Sequence, residues 1–139
     1  MSISKRAAYA AYRVLVVDDQ EEMVDLLSRM LRRLGFNDIL FANSAAEAEE
    51  FFGNNRFHLI LTDYSMKGNT GLDLTRKLRQ GSVAWVTRRD VPIIMVTGHG
   101  ERSYVLAAKE AGVNAFLVKP VDIGQMEEKI GVLLNKPAS

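Results

Sequence analysis

The 139-residue chain contains no cysteine, only three prolines and one tryptophan, and no long hydrophobic run. Without cysteine it can form neither disulfides nor thiolate metal sites, and it has no cysteine nucleophile. Its apolar runs fall well short of the ~20 residues that a membrane span requires. Lys5 and Arg6 are not followed by the apolar segment of a signal peptide. These absences predict a cytoplasmic protein that is not inserted in a membrane.

The charge of the chain is nearly balanced, with eighteen basic and seventeen acidic residues and a formal net charge of +1. This balance gives no electrostatic reason to expect direct binding of nucleic acid. A hydrophobic fraction of 47% and a charged fraction of 25% are typical of a soluble globular protein. The length suits one domain. We predict that this domain covers residues 12–135, with a frayed tail at residues 1–11 and a short tail at residues 136–139.

Short apolar, β-branched runs alternate along the chain with segments whose apolar residues recur at helical spacing. The predicted strands are residues 13–17, 38–42, 57–62, 91–96 and 114–118, and the predicted helices are 20–34, 45–52, 71–80, 101–111 and 123–134. Strands without polar alternation are typical of a parallel sheet that is buried on both faces. The pattern therefore predicts an α/β fold, with a doubly wound, five-stranded parallel sheet between two layers of helices.

Local signals support several of these boundaries. Gly35 is a helix stop, and Ser44 with Glu47 forms a capping-box pattern in which Ser44 is the N-cap and Glu47 reaches back. Residues 64–70 are small and polar enough to predict a loop. Trp85 lies in a long polar connection, where we expect it to anchor the loop to the core.

Polar residues stand where the predicted strands end. Asp18 and Asp19 follow the first strand, Asp63 the third, Thr97 the fourth and Lys119 the fifth. Parallel strands end at the same edge of a sheet, and ligands of such folds bind there, where the strand order reverses. Three carboxylates, a hydroxyl and an ammonium group are thus predicted to converge on one site.

Three carboxylates in close proximity repel one another, which raises their pKa values unless a cation lies between them. Ligands that offer oxygen alone favour Mg²⁺ or Mn²⁺ over zinc. Lys119 adds a second positive charge. A carboxylate flanked by a divalent metal and a lysine is suited to accepting a phosphoryl group, because both cations neutralise the charge of the transferring oxygens.

Four motifs in this order resemble the receiver domains of two-component response regulators, which have a flavodoxin-like, CheY-like fold. The motifs are VVDD at residues 16–19, LTDYSM at 61–66 with Gly71 closing the loop, VTG at 96–98 and FLVKP at 116–120. Each motif alone is weakly specific, but their combination and spacing are highly specific. The resemblance covers about residues 12–135.

The resemblance implies a role for each site residue. Asp63 would be the phospho-acceptor, with Asp19, Asp63 and the backbone carbonyl of Ser65 as direct Mg²⁺ ligands. Asp18 would hold the metal mainly through water. Lys119 would pair with the phosphoryl group and form a cis peptide bond with the following proline.

The resemblance also implies a switch and its partners. Thr97 would move to hydrogen-bond the new phosphoryl oxygen, and Phe116 would swing inward behind it. A histidine kinase or phosphotransfer protein would be the donor. The face formed by the fourth helix, fifth strand and fifth helix, which includes Tyr104 and the Phe116 region, would then bind a downstream protein or a fused output domain.

Three positions qualify this picture. Lys67 replaces the proline that is common after Met66, which would loosen the loop or bring a positive charge near the site. Phe116 lacks the hydroxyl of the tyrosine often found there, so it can act only by packing. We also hypothesise that His99, two residues beyond Thr97, influences dephosphorylation.

Three other functions are compatible with parts of the pattern. A phosphorylation-independent binding domain would be expected to lack some of these acidic residues or the lysine, and all are present. A phosphatase with an aspartate nucleophile commonly has a second Asp two positions later, where this chain has Ser65. A flavin-binding protein has faint support from the glycine-rich turn at residues 97–100, and an absorption spectrum would test it.

Overall fold

The computed structural model describes residues 8–66, 69–81, 84–98 and 102–135. Its helices and strands occur in this order: β1 Arg13–Val17, α1 Glu21–Leu34, β2 Asp38–Ala42, α2 Ala45–Asn54, β3 Leu59–Asp63, β4 Ser65–Met66, β5 Asn69–Thr70, α3 Gly71–Gln80, β6 Ile93–Thr97, α4 Arg102–Ala111, β7 Ala115–Val118 and α5 Ile123–Leu134. None of the helices in these ranges is long and apolar enough to cross a bilayer.

Five strands form a parallel sheet in the order β2-β1-β3-β6-β7. The chain moves outward from β1 to β2 and then crosses back to β3, so the strand order reverses between β1 and β3. This confirms the predicted doubly wound α/β fold. The pair β4 and β5 forms a separate two-stranded antiparallel hairpin within the segment predicted to be a loop.

The sheet is buried on both faces, as the apolar strand runs predict. Leu15 and Val17 of β1 belong to one core cluster together with side chains of α2, α3 and α4. Val14 and Val16 point to the other face, where they join residues of α1 and α5. The sheet therefore lies between a three-helix layer and a two-helix layer, and its strand ends are held in fixed positions.

Side-chain caps set the starts of three helices. Ser44 Oγ accepts the Glu47 N–H at the start of α2, and Thr70 and Asp122 cap α3 and α5 in the same way. Gly35 ends α1 with a left-handed φ of 117°, which a residue without a Cβ adopts at low cost. The Glu47 carboxylate does reach back, but it accepts the N–H of Asn43, one residue before the cap.

Several predicted boundaries shift by two residues. α2 continues to Asn54, and β3 begins at Leu59 because the Phe57 N–H is bonded to Thr87 Oγ1 in a neighbouring connection. β6 begins at Ile93, after Pro92, which has no N–H to donate to a ladder. Trp85 of the long connection packs edge-on against Phe52, as expected, with ring centroids 5.5 Å apart.

Residues 8–11 differ from the frayed tail predicted for residues 1–11. Tyr9 is 1% exposed and stacks on Phe36, with ring centroids 4.5 Å apart. Its hydroxyl accepts a hydrogen bond from the Asn135 side chain at 3.0 Å. The apolar contact outweighs the flexibility that the local sequence suggests, so Tyr9 belongs to the core while its neighbours at positions 8, 10 and 11 remain exposed. The other predicted tail residues, 1–7 and 136–139, lie outside the described ranges.

Candidate functional site

The predicted site residues meet at the carboxyl edge of the sheet. Asp18 follows β1, Asp63 ends β3, Thr97 ends β6 and Lys119 follows β7. This edge lies where the strand order reverses, which is the place where open α/β sheets bind ligands. The parallel register aligns these strand ends, so one fold feature positions all four residues.

Three carboxylates form a tight cluster. Asp18, Asp19 and Asp63 each offer an oxygen, and these oxygens lie within 4.8 Å of one another. Asp18 is 1% exposed, and its Oδ1 accepts the N–H of Gln20 at 2.9 Å. Within the described part of the chain, Asp18 Oδ2 is buried and has no hydrogen-bond partner. A buried carboxylate oxygen without a donor is costly, and a cation would relieve that cost.

The electrostatics of the cluster agree with a cation site. Burial raises the pKa of Asp18 above its ordinary value, and the negative charges of Asp63 and Asp19 raise it further. Burial also raises the pKa of Asp63, against the opposing effect of Lys119. Both carboxylates are therefore harder to ionise in the protein alone. The ligand set contains oxygen only, which suits Mg²⁺ or Mn²⁺.

Lys119 contacts both the carboxylate cluster and the end of β6. Its Nζ lies 3.4 Å from Asp63 Oδ1, with the side chains 24% and 11% exposed. Its backbone N–H donates to the Thr97 carbonyl at 2.8 Å. The Lys119–Pro120 peptide bond is cis, which confirms that expectation. The ammonium group thus lies beside the predicted phospho-acceptor.

The two predicted switch residues lie on neighbouring strands. Thr97 is 1% exposed and pairs in register with Val118. Phe116 is half-buried opposite Met95 and packs against the core cluster that also includes side chains of α2, α3 and α4. Both residues are therefore next to the sheet edge, although the movement proposed for them stays a prediction.

The backbone after Asp63 is tightly constrained. The Tyr64 N–H is hydrogen-bonded to the Asp63 carboxylate, and the Tyr64 carbonyl accepts the N–H of Gly71 at 2.7 Å. A Cβ at position 71 would lie 2.2 Å from the Asp63 carbonyl oxygen. Position 71 thus requires glycine so that α3 can begin directly against the end of β3 at Asp63.

Sequence reasoning assigned no role to the Tyr64 ring. It packs against the core and meets the ring of Tyr104 on α4, with centroids 5.0 Å apart and planes at 80°. The signal in the sequence was an aromatic residue directly after Asp63, but its partner depends on how α4 packs. Ser65 lies in β4, and Lys67 and His99 lie outside the described residues.

A groove of about 580 Å³ opens beside the carboxylate cluster, between α1 and the end of β2. It is lined by Asp18, Asp19, Glu21, Val24, Asp25, Ser28, Arg32, Phe41, Ala42, Asn43 and Glu47. The groove leaves Asp19 exposed, so a small molecule can reach the cluster from solvent.

Comparison with known sequences gives a consistent result. The family model for the response regulator receiver domain matches residues 14–131. Chemotaxis protein CheY1 of Helicobacter pylori is 37% identical over 124 residues, which is 88% of this chain and 97% of that protein. Chemotaxis protein CheY of Pseudomonas aeruginosa is 33% identical over 124 residues, which is 89% of this chain and 97% of that protein.

Comparison with solved structures extends this similarity to the fold. A response regulator receiver protein from Pseudomonas putida is 33% identical, with a TM-score of 0.75 over 88% of this chain and 98% of that one. A putative response regulator from Chloroflexus aurantiacus is 27% identical, with a TM-score of 0.81 over 90% and 98% of the two chains. The family match at residues 14–131 includes every described residue of the predicted site.

Proposed function

We propose that Asp63 is the phospho-acceptor of a two-component signalling switch, because this chain belongs to the response regulator receiver family. The observation that carries the proposal is the arrangement around Asp63. Two further carboxylates lie within 4.8 Å of it, and the Lys119 ammonium group lies 3.4 Å away. Among the four functions considered from the sequence, the family match favours this one.

The proposed reaction is transfer from a phosphohistidine of a histidine kinase or phosphotransfer protein. An Asp63 carboxylate oxygen forms a P–O bond while the P–N bond of the donor breaks. The electron pair of that bond stays on the ring nitrogen, and the imidazole leaves neutral because its other nitrogen already carries a proton. Lys119 neutralises the charge that is retained on the transferred oxygens. The chain modifies itself in this reaction, and we propose no separate substrate that it turns over.

We propose that Mg²⁺, or Mn²⁺, is the cofactor, since the unpartnered Asp18 Oδ2 and the oxygen-only cluster suit such an ion. Asp19, Asp63 and the backbone carbonyl of Ser65 would hold the ion directly, and Asp18 mainly through water. Bound there, the ion supplies positive charge that stabilises the transferring phosphoryl group.

The proposed output is a population shift. Contacts from Thr97 and Lys119 to the phosphoryl group favour one of two packings of β6, α4 and Phe116. The face formed by α4, β7 and α5 then binds a downstream protein or a fused output domain. Val105, Leu106 and Val118 are exposed on this face, which supports a role in protein contact. The cytoplasmic location remains a prediction.

An intact-mass measurement tests the acceptor. We expect the protein to gain one phosphoryl group when incubated with Mg²⁺ and a small acyl phosphate, and Asp63→Asn to gain none. Asp90→Asn is the matched control, because Asp90 is exposed at the other end of the sheet and should leave the adduct intact. If wild type gains no adduct from acyl phosphates or from a phosphohistidine donor, the binding-domain function replaces this proposal.

A further inference from the structure

The contact between Tyr64 and Tyr104 joins the candidate site to α4. The Tyr64 N–H is hydrogen-bonded to the Asp63 carboxylate, so its backbone responds to the state of that carboxylate. Its ring meets the Tyr104 ring edge to face, with centroids 5.0 Å apart. Two adjacent links, one polar and one aromatic, therefore connect the phospho-acceptor with a helix of the proposed output face.

The Tyr64–Tyr104 contact matters because few other large side chains hold α4 in place. At positions 104–111 of α4, the buried side chains are the small Ala108 and Ala111. Val105 and Leu106 are exposed. Among the side chains at positions 104–111, Tyr104 is the only large apolar one that is not exposed. Because alanine methyl groups bury little apolar area, they hold the helix weakly against displacement.

The two ends of α4 are held differently. At its C-terminal end, the Arg79 guanidinium of α3 donates two hydrogen bonds to the Gly112 carbonyl, at 3.1 and 2.8 Å. Tyr104 lies in the first turn, at the end nearer the site. A helix anchored at one end and in ring contact at the other can tilt about its anchor when the contact changes.

We infer that the Tyr64–Tyr104 contact is a second connection from Asp63 to α4, independent of Thr97 and Phe116. Phosphorylation either bonds phosphorus to the Asp63 oxygen that accepts the Tyr64 N–H or reorients that oxygen, and the Tyr64 ring then shifts the Tyr104 end of the helix. Tyr64 and Tyr104 act as positioning residues, since neither takes part in phosphoryl transfer. This inference rests on the proposed function of Asp63.

Amide hydrogen exchange of residues 102–111 tests the connection. Beryllofluoride with Mg²⁺, a stable mimic of the aspartyl phosphate, should change the exchange of this segment in wild type. We expect the change to fall to about half or less in Tyr104→Leu, since part of the coupling is removed. Tyr104→Phe retains a ring of the same shape and should restore the wild-type response, which a general loss of stability would not explain.

Tyr12→Leu is the matched control, because it removes a tyrosine from another ring pair, with His58 at 5.1 Å, at the opposite edge of the sheet. It should leave the response unchanged. A wild-type response in Tyr104→Leu overturns the inference, as does a loss of response in Tyr12→Leu equal to that in Tyr104→Leu. Adduct formation on Asp63 is measured in parallel. If wild type gains no adduct, both the inference and the proposed function fail. If Tyr104→Leu gains the adduct and its α4 responds as in wild type, only the inference about the ring contact is rejected.

Discussion

Lys119 makes one contact through its backbone and a different one through its side chain. The backbone N–H joins β7 to Thr97, while Nζ lies 3.4 Å from Asp63. Substitution by alanine removes the ammonium group and leaves the backbone bond available. The charge that faces Asp63 can thus be tested separately from the fold.

We expect Lys119→Ala to retain Mg²⁺ binding and to lose the phosphorylation-dependent response of α4. The carboxylates that would hold the ion are unchanged, but the charge that pairs with the phosphoryl group is gone. Titration calorimetry measures the first property and hydrogen exchange the second. Lys77→Ala, an exposed lysine paired with Glu49 on the three-helix side, is the control. Retained signalling in Lys119→Ala would contradict the role given to this lysine.

His58 gives a prediction on pH. Its Nδ1 accepts the Arg13 N–H at 2.9 Å, a bond that requires the ring nitrogen to be unprotonated. Burial, and then the charge of Arg56, lowers the pKa of His58 below its ordinary value of 6.5. As pH falls through that value, the unfolded chain takes up a proton that the folded chain resists, so stability is lost toward acid pH.

The free energy of unfolding should therefore fall more steeply in wild type than in His58→Gln between about pH 7.5 and pH 5.5. The amide oxygen of Gln can accept the same N–H without titrating. Urea denaturation at several pH values measures the slopes. Equal slopes in the two proteins would show that His58 does not couple folding to protons.

At the scale of elements, Arg79 ties α3 to two connections. Besides the Gly112 carbonyl, its guanidinium donates to the carbonyls of Arg89 and Val91 and to Asn114 Oδ1, at 2.7–2.8 Å. These bonds hold the start of β6, the end of α4 and the start of β7 against one helix. Five bonds from one planar group hold the backbone at Arg89 and Val91, just before β6, against α3.

Arg79→Leu should destabilise the protein by about 2–4 kcal/mol, because it leaves the partly buried carbonyls of Val91 and Gly112 without this donor. Denaturant unfolding monitored by circular dichroism measures the change. Arg76→Leu on the same helix removes only an exposed pair with Asp73 and should change stability by less than about 0.5 kcal/mol. A similar loss of stability in both variants would mean that the composition of α3, and not the hydrogen bonds of Arg79, is responsible.

Elements with a strong periodic signal were predictable within two residues. β1 and α5 have the bounds that their apolar patterns predict, because burial on a fixed face dictates each residue type. The β4–β5 hairpin was not predictable, since two residues per strand are too few for any alternation. β3 begins later than its apolar run because Thr87, distant in sequence, takes up the Phe57 N–H.

The candidate site was likewise predictable only in part. Asp18, Asp63 and Lys119 could be placed together from their positions after strands, since parallel topology alone brings strand ends to one edge. The Tyr64–Tyr104 contact depends on the orientation of α4 on the sheet, which no local pattern encodes. The roles of Phe116 and of the cis bond came from resemblance, and of these two the structure confirms the cis bond.

At the scale of the whole molecule, an ion bound at the carboxylate cluster would change the stability of the fold. Ion-free protein must hold two buried carboxylates whose pKa values are raised, above all by burial. An ion that binds the folded state alone stabilises it by mass action, by about 2.7 kcal/mol at 100 times the dissociation constant. The site should therefore be visible in thermal unfolding without any phosphoryl donor.

We expect Mg²⁺ to raise the unfolding temperature of wild type and to have a smaller effect on Asp18→Asn. Asp18→Asn should also be more stable than wild type without the ion, because it removes one of three mutually repelling charges. Calorimetric scans with and without Mg²⁺ measure both effects, with Asp90→Asn as a surface control. An equal Mg²⁺ effect in wild type and Asp18→Asn would remove Asp18 from the ion site.

The contact between Tyr9 and Asn135 has a consequence for architecture. It lies near the strand starts, where Tyr12 and His58 line a small cavity with Leu133 and Leu134 of α5. Asp63 lies at the other edge of the sheet. Tyr9 and Asn135 therefore lie next to each other, at the edge of the sheet opposite Asp63. A second domain could be joined at either residue, or the domain could be inserted into a longer chain, without obstructing access to the carboxylate cluster.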